Sequence, residues 1–135
     1  MTGALNNSSL VTLLVDDDIV ARRIVRASLE VDGYQVLEAA NGEEALAAWA
    51  MTNEPIQLLL CGIMLADMAG TELYQRLTLI HPQLKVLYIS GHKMEPVIKV
   101  TIVDPQGSAQ LKSITPSELI QLVSQLVHRP RAGEP

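Results

Sequence analysis

Short apolar runs alternate along the chain with longer stretches whose apolar residues recur at helical spacing. Leu10 to Val15 is a continuous apolar run that ends in Asp16-Asp17-Asp18, the pattern of a strand buried on both faces. From Ile19 to Val31 apolar residues return every three or four positions, and Asp32-Gly33 stops the predicted helix. Tyr34 to Ala39 reads as a second strand. Asn41-Gly42 turns the chain into an alanine-rich helix over Glu43 to Met51, with acidic residues in its first turn. Ile56 to Cys61 is a third strand, Gly62 to Gly70 an irregular loop, and Thr71 to Ile80 a helix closed by His81-Pro82. Leu84 to Ser90 is the fourth strand.

The next segment is ambiguous. Pro96 suits the first turn of a helix over Glu95 to Val103, which Asp104-Pro105 would end, yet Val97, Ile98, Val100, Ile102 and Val103 are poor helix formers. A weak fifth strand falls near Ser108 to Leu111. Thr115-Pro116-Ser117-Glu118 then opens a last helix to about His128, with Thr115 as cap and Glu118 completing a capping box. Five strands alternating with five helices predict an α/β, doubly wound parallel sheet. One domain over 10–128 is expected, between flexible segments at 1–9 and 129–135. The reactive crevice of such a sheet lies at the carboxyl ends of its strands. That singles out Asp16 to Asp18, Gly62 to Ala66, Ser90 to His92, and Lys112.

Composition narrows the function. Of 135 residues 48% are hydrophobic and 19% charged, enough apolar material for one core. No Phe, one Trp and three Tyr favour aliphatic layers over aromatic platforms for single-stranded nucleic acid. A formal charge of −5 disfavours nucleic-acid partners generally. The basic cluster Arg22, Arg23 and Arg26 reads as a solvated helix face. Cys61, the one cysteine, reads as a buried small hydrophobe. MTGALNNSS lacks the features of a signal peptide, and no apolar run approaches a membrane span, so a cytoplasmic setting is expected.

Three consecutive aspartates at a strand end repel one another unless a cation meets them, either a hard ion such as Mg²⁺ or the ammonium of Lys112. Asp18 is also placed to cap the first helix. The ordered segments LLVDDD, GYQVLEAANGEEAL, LLLCGIMLADMAG, KVLYISGH and LKSITPSEL resemble the landmarks of the response-regulator receiver family over roughly residues 10 to 127. The stretch from KVLYISGH through DPQGSAQLK also resembles receivers attached to hybrid sensor kinases. The resemblance implies a flavodoxin-like (βα)5 sandwich with a five-stranded parallel sheet in the order 2-1-3-4-5. It implies a role in phosphorelay, two-component signalling.

In that family an acidic pair holds Mg²⁺, a hydroxyl residue contacts the phosphoryl group, and a lysine pairs with the acceptor carboxylate. Asp16 and Asp17, with Met64 beside them, match the acidic metal pocket; Ser90 matches the hydroxyl residue and Lys112 the lysine. The acceptor aspartate aligns with Gly62. Ala66 replaces the loop proline, Ser113 the proline after the lysine, and Ala109 the switch aromatic. The resemblance therefore points to a pseudo-receiver that is not phosphorylated, is not an enzyme, and binds Mg²⁺ weakly or not at all. Lys112 is expected to close the pocket by a salt bridge to the remaining acids.

The implied partner is a protein, a histidine kinase or another receiver, with homodimerisation as one form. It would be met through the face of the fourth helix, fifth strand and fifth helix, with no nucleic acid and no membrane involved. Val97, Ile98, Val100 and Ile102 either supply an apolar patch there or face the core. Two alternatives carry different chemistry. A phosphorylatable receiver could use a non-standard aspartate, Asp67 or one of Asp16 and Asp17. A haloacid-dehalogenase-like phosphatase would use Asp16 as nucleophile and Asp18 as acid/base, but it lacks the downstream acidic pair such enzymes need.

Overall fold

A computed structural model of the chain describes residues 10–91, 98–103 and 109–128. The expected terminal segments 1–9 and 129–135, together with His92 and Val97, lie outside the described residues. The elements are β1 (Val11–Val15), α1 (Ile19–Val31), β2 (Gln35–Ala39), α2 (Gly42–Met51), β3 (Ile56–Cys61) and α3 (Gly70–Ile80). They continue as β4 (Lys85–Gly91), β5 (Ile98–Val103), β6 (Ala109–Ile114) and α4 (Pro116–His128).

The sheet order is β2-β1-β3-β4-β5-β6. The first four strands are parallel in the doubly wound, flavodoxin-like order, with Val15 opposite both Ala39 and Cys61, and Cys61 opposite Tyr88. The largely apolar runs of β1 and β3, the two central strands of this parallel part, follow from burial on both faces. Leu13, Val15, Leu59 and Cys61 pack with Ala45 of α2 and Leu73 and Leu77 of α3. Leu14, Leu58, Leu60, Leu87 and Ile89 pack on the other face with Val25 and Leu29 of α1 and Leu119 and Val123 of α4. The capping box of α4 forms as expected: Thr115 N–H donates to Glu118 Oε1 at 2.9 Å, and Glu118 N–H donates to Thr115 Oγ1 at 3.2 Å.

The far end of the sheet corrects the expectation. Where a fourth helix was predicted, the chain forms β5, antiparallel to β4, and β6 then pairs antiparallel with β5. Among the described residues the sheet has six strands, not five, and four helices flank it. The physical reason lies in Ile98-Lys99-Val100-Thr101-Ile102-Val103, where β-branched residues alternate with polar ones at a period of two. Helical spacing would scatter Ile98, Val100 and Ile102 around an axis, whereas a strand can put all three on one face. Val100 is fully buried, packed in the same cluster as Ile89 and Ile114. It is core and is withdrawn from the expected partner patch. That patch also loses its helix.

Candidate functional site

The ends of β1 and β3 lie side by side, and Gly62 N–H donates to Val15 O at 3.0 Å, which fixes Gly62 next to Asp16. Asp16 is buried at 7% exposure, while Asp17 is exposed. The Asp16 carboxyl accepts Asp18 N–H at 2.9 Å. Burial nevertheless pushes it up to about 6, and the neighbouring Asp17 and Asp18 carboxylates push the same way. Asp18 caps α1, its Oδ1 accepting Val20 N–H at 3.0 Å and Ala21 N–H at 3.3 Å. That carboxylate is committed to the helix end, which leaves it poorly placed as an acid/base for phosphatase chemistry.

Two basic side chains of α1 do more than solvate its face. Arg22, whose side chain is only 14% exposed, donates to Asp16 O at 2.6 Å and to Glu38 Oε1 at 3.0 Å. Arg26 pairs with both Glu30 and Glu38. The sequence held no signal for Arg22–Glu38, because the partners are 16 residues apart and meet only when β2 is placed beside β1.

The loop from 62 to 70 forms the other wall. Met64 and Ala69 make an isolated bridge, Leu65 N–H donates to Met68 O at 2.9 Å, and Gly70 N–H donates to Ile63 O at 2.7 Å. A Cβ on Gly70 would stand 2.0 Å from Gly62 O, so the turn closes only with glycine there. A Cβ on Gly62 would meet Leu65 Cδ2 at 3.5 Å, Met64 O at 3.7 Å and Ile89 O at 3.9 Å, ordinary contacts throughout. The backbone thus leaves room for a Cβ at position 62.

Asp67 does not approach that position through any contact it makes. Its carboxylate spans the N-terminus of α2, accepting Gly42 N–H at 2.8 Å and Glu43 N–H at 2.9 Å. Those two bonds hold its pKa below the usual value, as expected for an anion on a helix N-terminus. Met68 packs against Gly42, where a Cβ would come within 2.5 Å of its sulfur. Asp67 and Met68 together clamp the loop to α2, a contact the sequence pattern did not reveal.

The sequence also places Ser90, Lys112, Ser113 and Ala109 at the site. Ser90 lies in β4 with Lys99 as its Cα partner, and Lys99 is in turn partnered by Ser113. Ala109 opens β6 opposite Val103. Lys112 is exposed on β6 opposite Val100, and Val100 is opposite Ile89. Gly62 falls opposite Ile89 by continuation of the β3–β4 register. Lys112 therefore stands three strands from Gly62 instead of two. At about 4.8 Å per strand this is some 14 Å across the sheet instead of about 10 Å.

The expected salt bridge from Lys112 to the acids is not among the four ion pairs of the described residues. Lys112 lies instead near Glu118, whose carboxyl is held below its usual range first by its hydrogen bonds with Thr115 and to a smaller extent by the Lys112 charge. The interposed strand is the cause. Among the described residues no group of three or more acidic, His or Cys side chains is arranged to hold a metal. Two adjacent carboxylates without a third do not make up the set that the family's ion calls for. Cys61 is buried below the site, and burial pushes its thiol up to about 12.

Comparison with known proteins agrees with the architecture. Residues 12–124 match the model of the "Response regulator receiver domain". The chain is 40% identical over 79 residues, 58% of its length, to the response regulator receiver protein CpdR of Brucella abortus (strain 2308). It is 27% identical over 93% of its length to the sensor kinase CckA of the same organism. It spans 64% of the first relative and 13% of the second. A CheY-like response regulator receiver domain structure from Methanospirillum hungatei JF-1 superposes with a TM-score of 0.52 at 38% identity. That match covers 57% of this chain and 60% of the other. No helix among the described residues is long and apolar enough to cross a membrane. With the family model covering most of the chain and the doubly wound sheet in place beneath it, this protein belongs to the response regulator receiver domain family of two-component signalling.

Proposed function

We propose that the protein is a receiver-like regulatory module that works through protein–protein contact and is not phosphorylated. The observation that carries this reading is Gly62 at the end of β3, beside Asp16. Phosphotransfer needs a nucleophilic oxygen in line with the donor, and glycine supplies none. Of the carboxylates nearby, Asp17 is exposed to solvent and the other three are otherwise engaged. Asp67 is bonded to the N-terminus of α2, Asp18 caps α1, and Asp16 is buried with a hydrogen bond to Asp18 N–H. The second support is Lys112, one strand further from the pocket than the family's mechanism requires. With two carboxylates left and no lysine between them, Mg²⁺ binding is weak.

The partner is a signalling protein, a histidine kinase or another receiver, and the kinship to a sensor kinase supports that class. The surface expected for docking is redrawn by β5. It becomes the end of the sheet built from β5, the edge strand β6 and α4, and Lys112 and Ser113 are exposed on that edge.

The experiment compares wild type with Gly62→Asp and Gly62→Asp/Lys112→Ala in acetyl phosphate and Mg²⁺, read by intact mass. Wild type is expected to gain no acid-labile phosphoryl group. Gly62→Asp has room for its Cβ and is expected to gain one, with little further change on removing Lys112. An acid-labile adduct on wild type would overturn the reading. A large loss of labelling in the double variant would show that Lys112 reaches the pocket after all.

A further inference from the structure

Helix α1 has two apolar stripes, and the core uses one. Ala21, Val25 and Leu29 face the sheet and are buried. Val20, Ile24, Ala27 and Val31 follow a four-three-four spacing and fall within about 60° of one another around the axis. This second stripe is exposed: Val20 51%, Ile24 45% and Val31 90%, with Ala27 exposed as well. The spacing is that of a coiled-coil seam. No described residue of this chain covers it.

The charges beside the stripe say what does. Arg23 and Glu30 flank it on the same side, one near the start of the helix and the other near its end. Arg23 belongs to none of the ion pairs among the described residues. If two copies of α1 lie antiparallel about a two-fold axis, Val20 meets Val31 of the other copy and Ile24 meets Ala27. Arg23 then faces Glu30 in both directions, as a two-fold contact requires. Parallel pairing would put that flank of the two copies on opposite sides of the seam, where Arg23 meets no Glu30.

We infer that the exposed α1 stripe is a homodimer contact, in which α1 packs antiparallel on α1 of a second copy. Twelve residues of helix meet over about 17 Å. That is a small contact beside the ~800 Å² per partner of a standard interface. The dimer is accordingly weak and concentration-dependent, and it leaves the β5–β6–α4 end of each copy free for another partner.

Sedimentation equilibrium of the whole chain, taken up to millimolar concentration, tests this. Wild type is expected to dimerise reversibly, Ile24→Glu to stay monomeric, and Arg23→Glu and Glu30→Arg each to weaken association. The exchanged pair Arg23→Glu/Glu30→Arg is expected to restore it. All three positions are exposed, and circular dichroism confirms folding of each variant. A wild type that stays monomeric would overturn the inference. So would a dimer that survives Ile24→Glu, or an exchanged pair that fails to recover. Capture of a kinase helical bundle that depends on Ile24, without any self-association, would assign the stripe to that bundle instead.

Discussion

Gly62 and Gly70 close the same loop, yet a single methyl group should affect them in opposite directions. At Gly62 a Cβ finds its nearest neighbours at 3.5, 3.7 and 3.9 Å, and the backbone is not in the left-handed region, where Gly33 alone is found among the described residues. Gly62→Ala then mainly restricts the unfolded chain, which stabilises by about 0.4–1 kcal/mol. At Gly70 a Cβ would stand 2.0 Å from Gly62 O, 3.1 Å from Cys61 Sγ and 3.2 Å from Gly62 C.

The carbonyl of Gly62 would have to retreat by more than an ångström. Its own N–H is tied to Val15 O at 3.0 Å, and Gly70 N–H is tied to Ile63 O at 2.7 Å, so retreat breaks the turn. Overpacking of this kind costs about 1–3 kcal/mol, and the rigid neighbours put Gly70→Ala near the top of that range. The two variants should differ by roughly 3–4 kcal/mol, or on the order of 12 °C in Tm for a domain this size. Urea denaturation followed by Trp49 fluorescence and far-UV circular dichroism measures both. Equal stabilities, or a Gly62→Ala protein weakened by more than about 1 kcal/mol, would refute the reasoning. Glycine at 62 would then serve the backbone, and the missing acceptor would be a by-product of loop geometry.

Other outcomes follow from the clamp and the core. Asp67→Asn should raise amide exchange at Gly42 and Glu43 without unfolding the sheet, since those N–H groups lose a charged acceptor; unchanged protection would show that Asp67 does not hold them in solution. Because the Asp67 carboxyl is held below its usual 3.8, its contribution is present above that pH and is lost as pH falls through the folded value. The same two amides should therefore loosen in acid, and an NMR titration that leaves them unmoved would contradict this. Cys61, with its thiol pushed up to about 12 by burial, should resist a thiol reagent at pH 8 in the native protein and react at once in urea. Rapid native labelling would mean that the strand end opens.

Much of this protein was legible in one dimension because its signals are local. The runs of β1 and β3 read as buried strands since both faces are covered. Asp18 and Thr115-Glu118 read as caps since a cap is a contact within three residues. Gly62 was placed at the end of β3 because its position in an ordered motif does not depend on where other strands lie. The tertiary structure decided the rest, where contacts cross long stretches of sequence. Val100 could be a helix face or a core strand until Ile89 and Ile114 were seen packed with it. Lys112 was expected in the pocket because position along the chain says nothing of a strand inserted between β4 and β6. The reach of a side chain is a matter of angströms across the sheet, and only the pairing order sets that distance. Likewise Arg22 on Glu38 and Asp67 on α2 join residues 16 and 25 positions apart. No periodicity encodes such pairs; they exist because packing brings a helix end and a loop to the same edge.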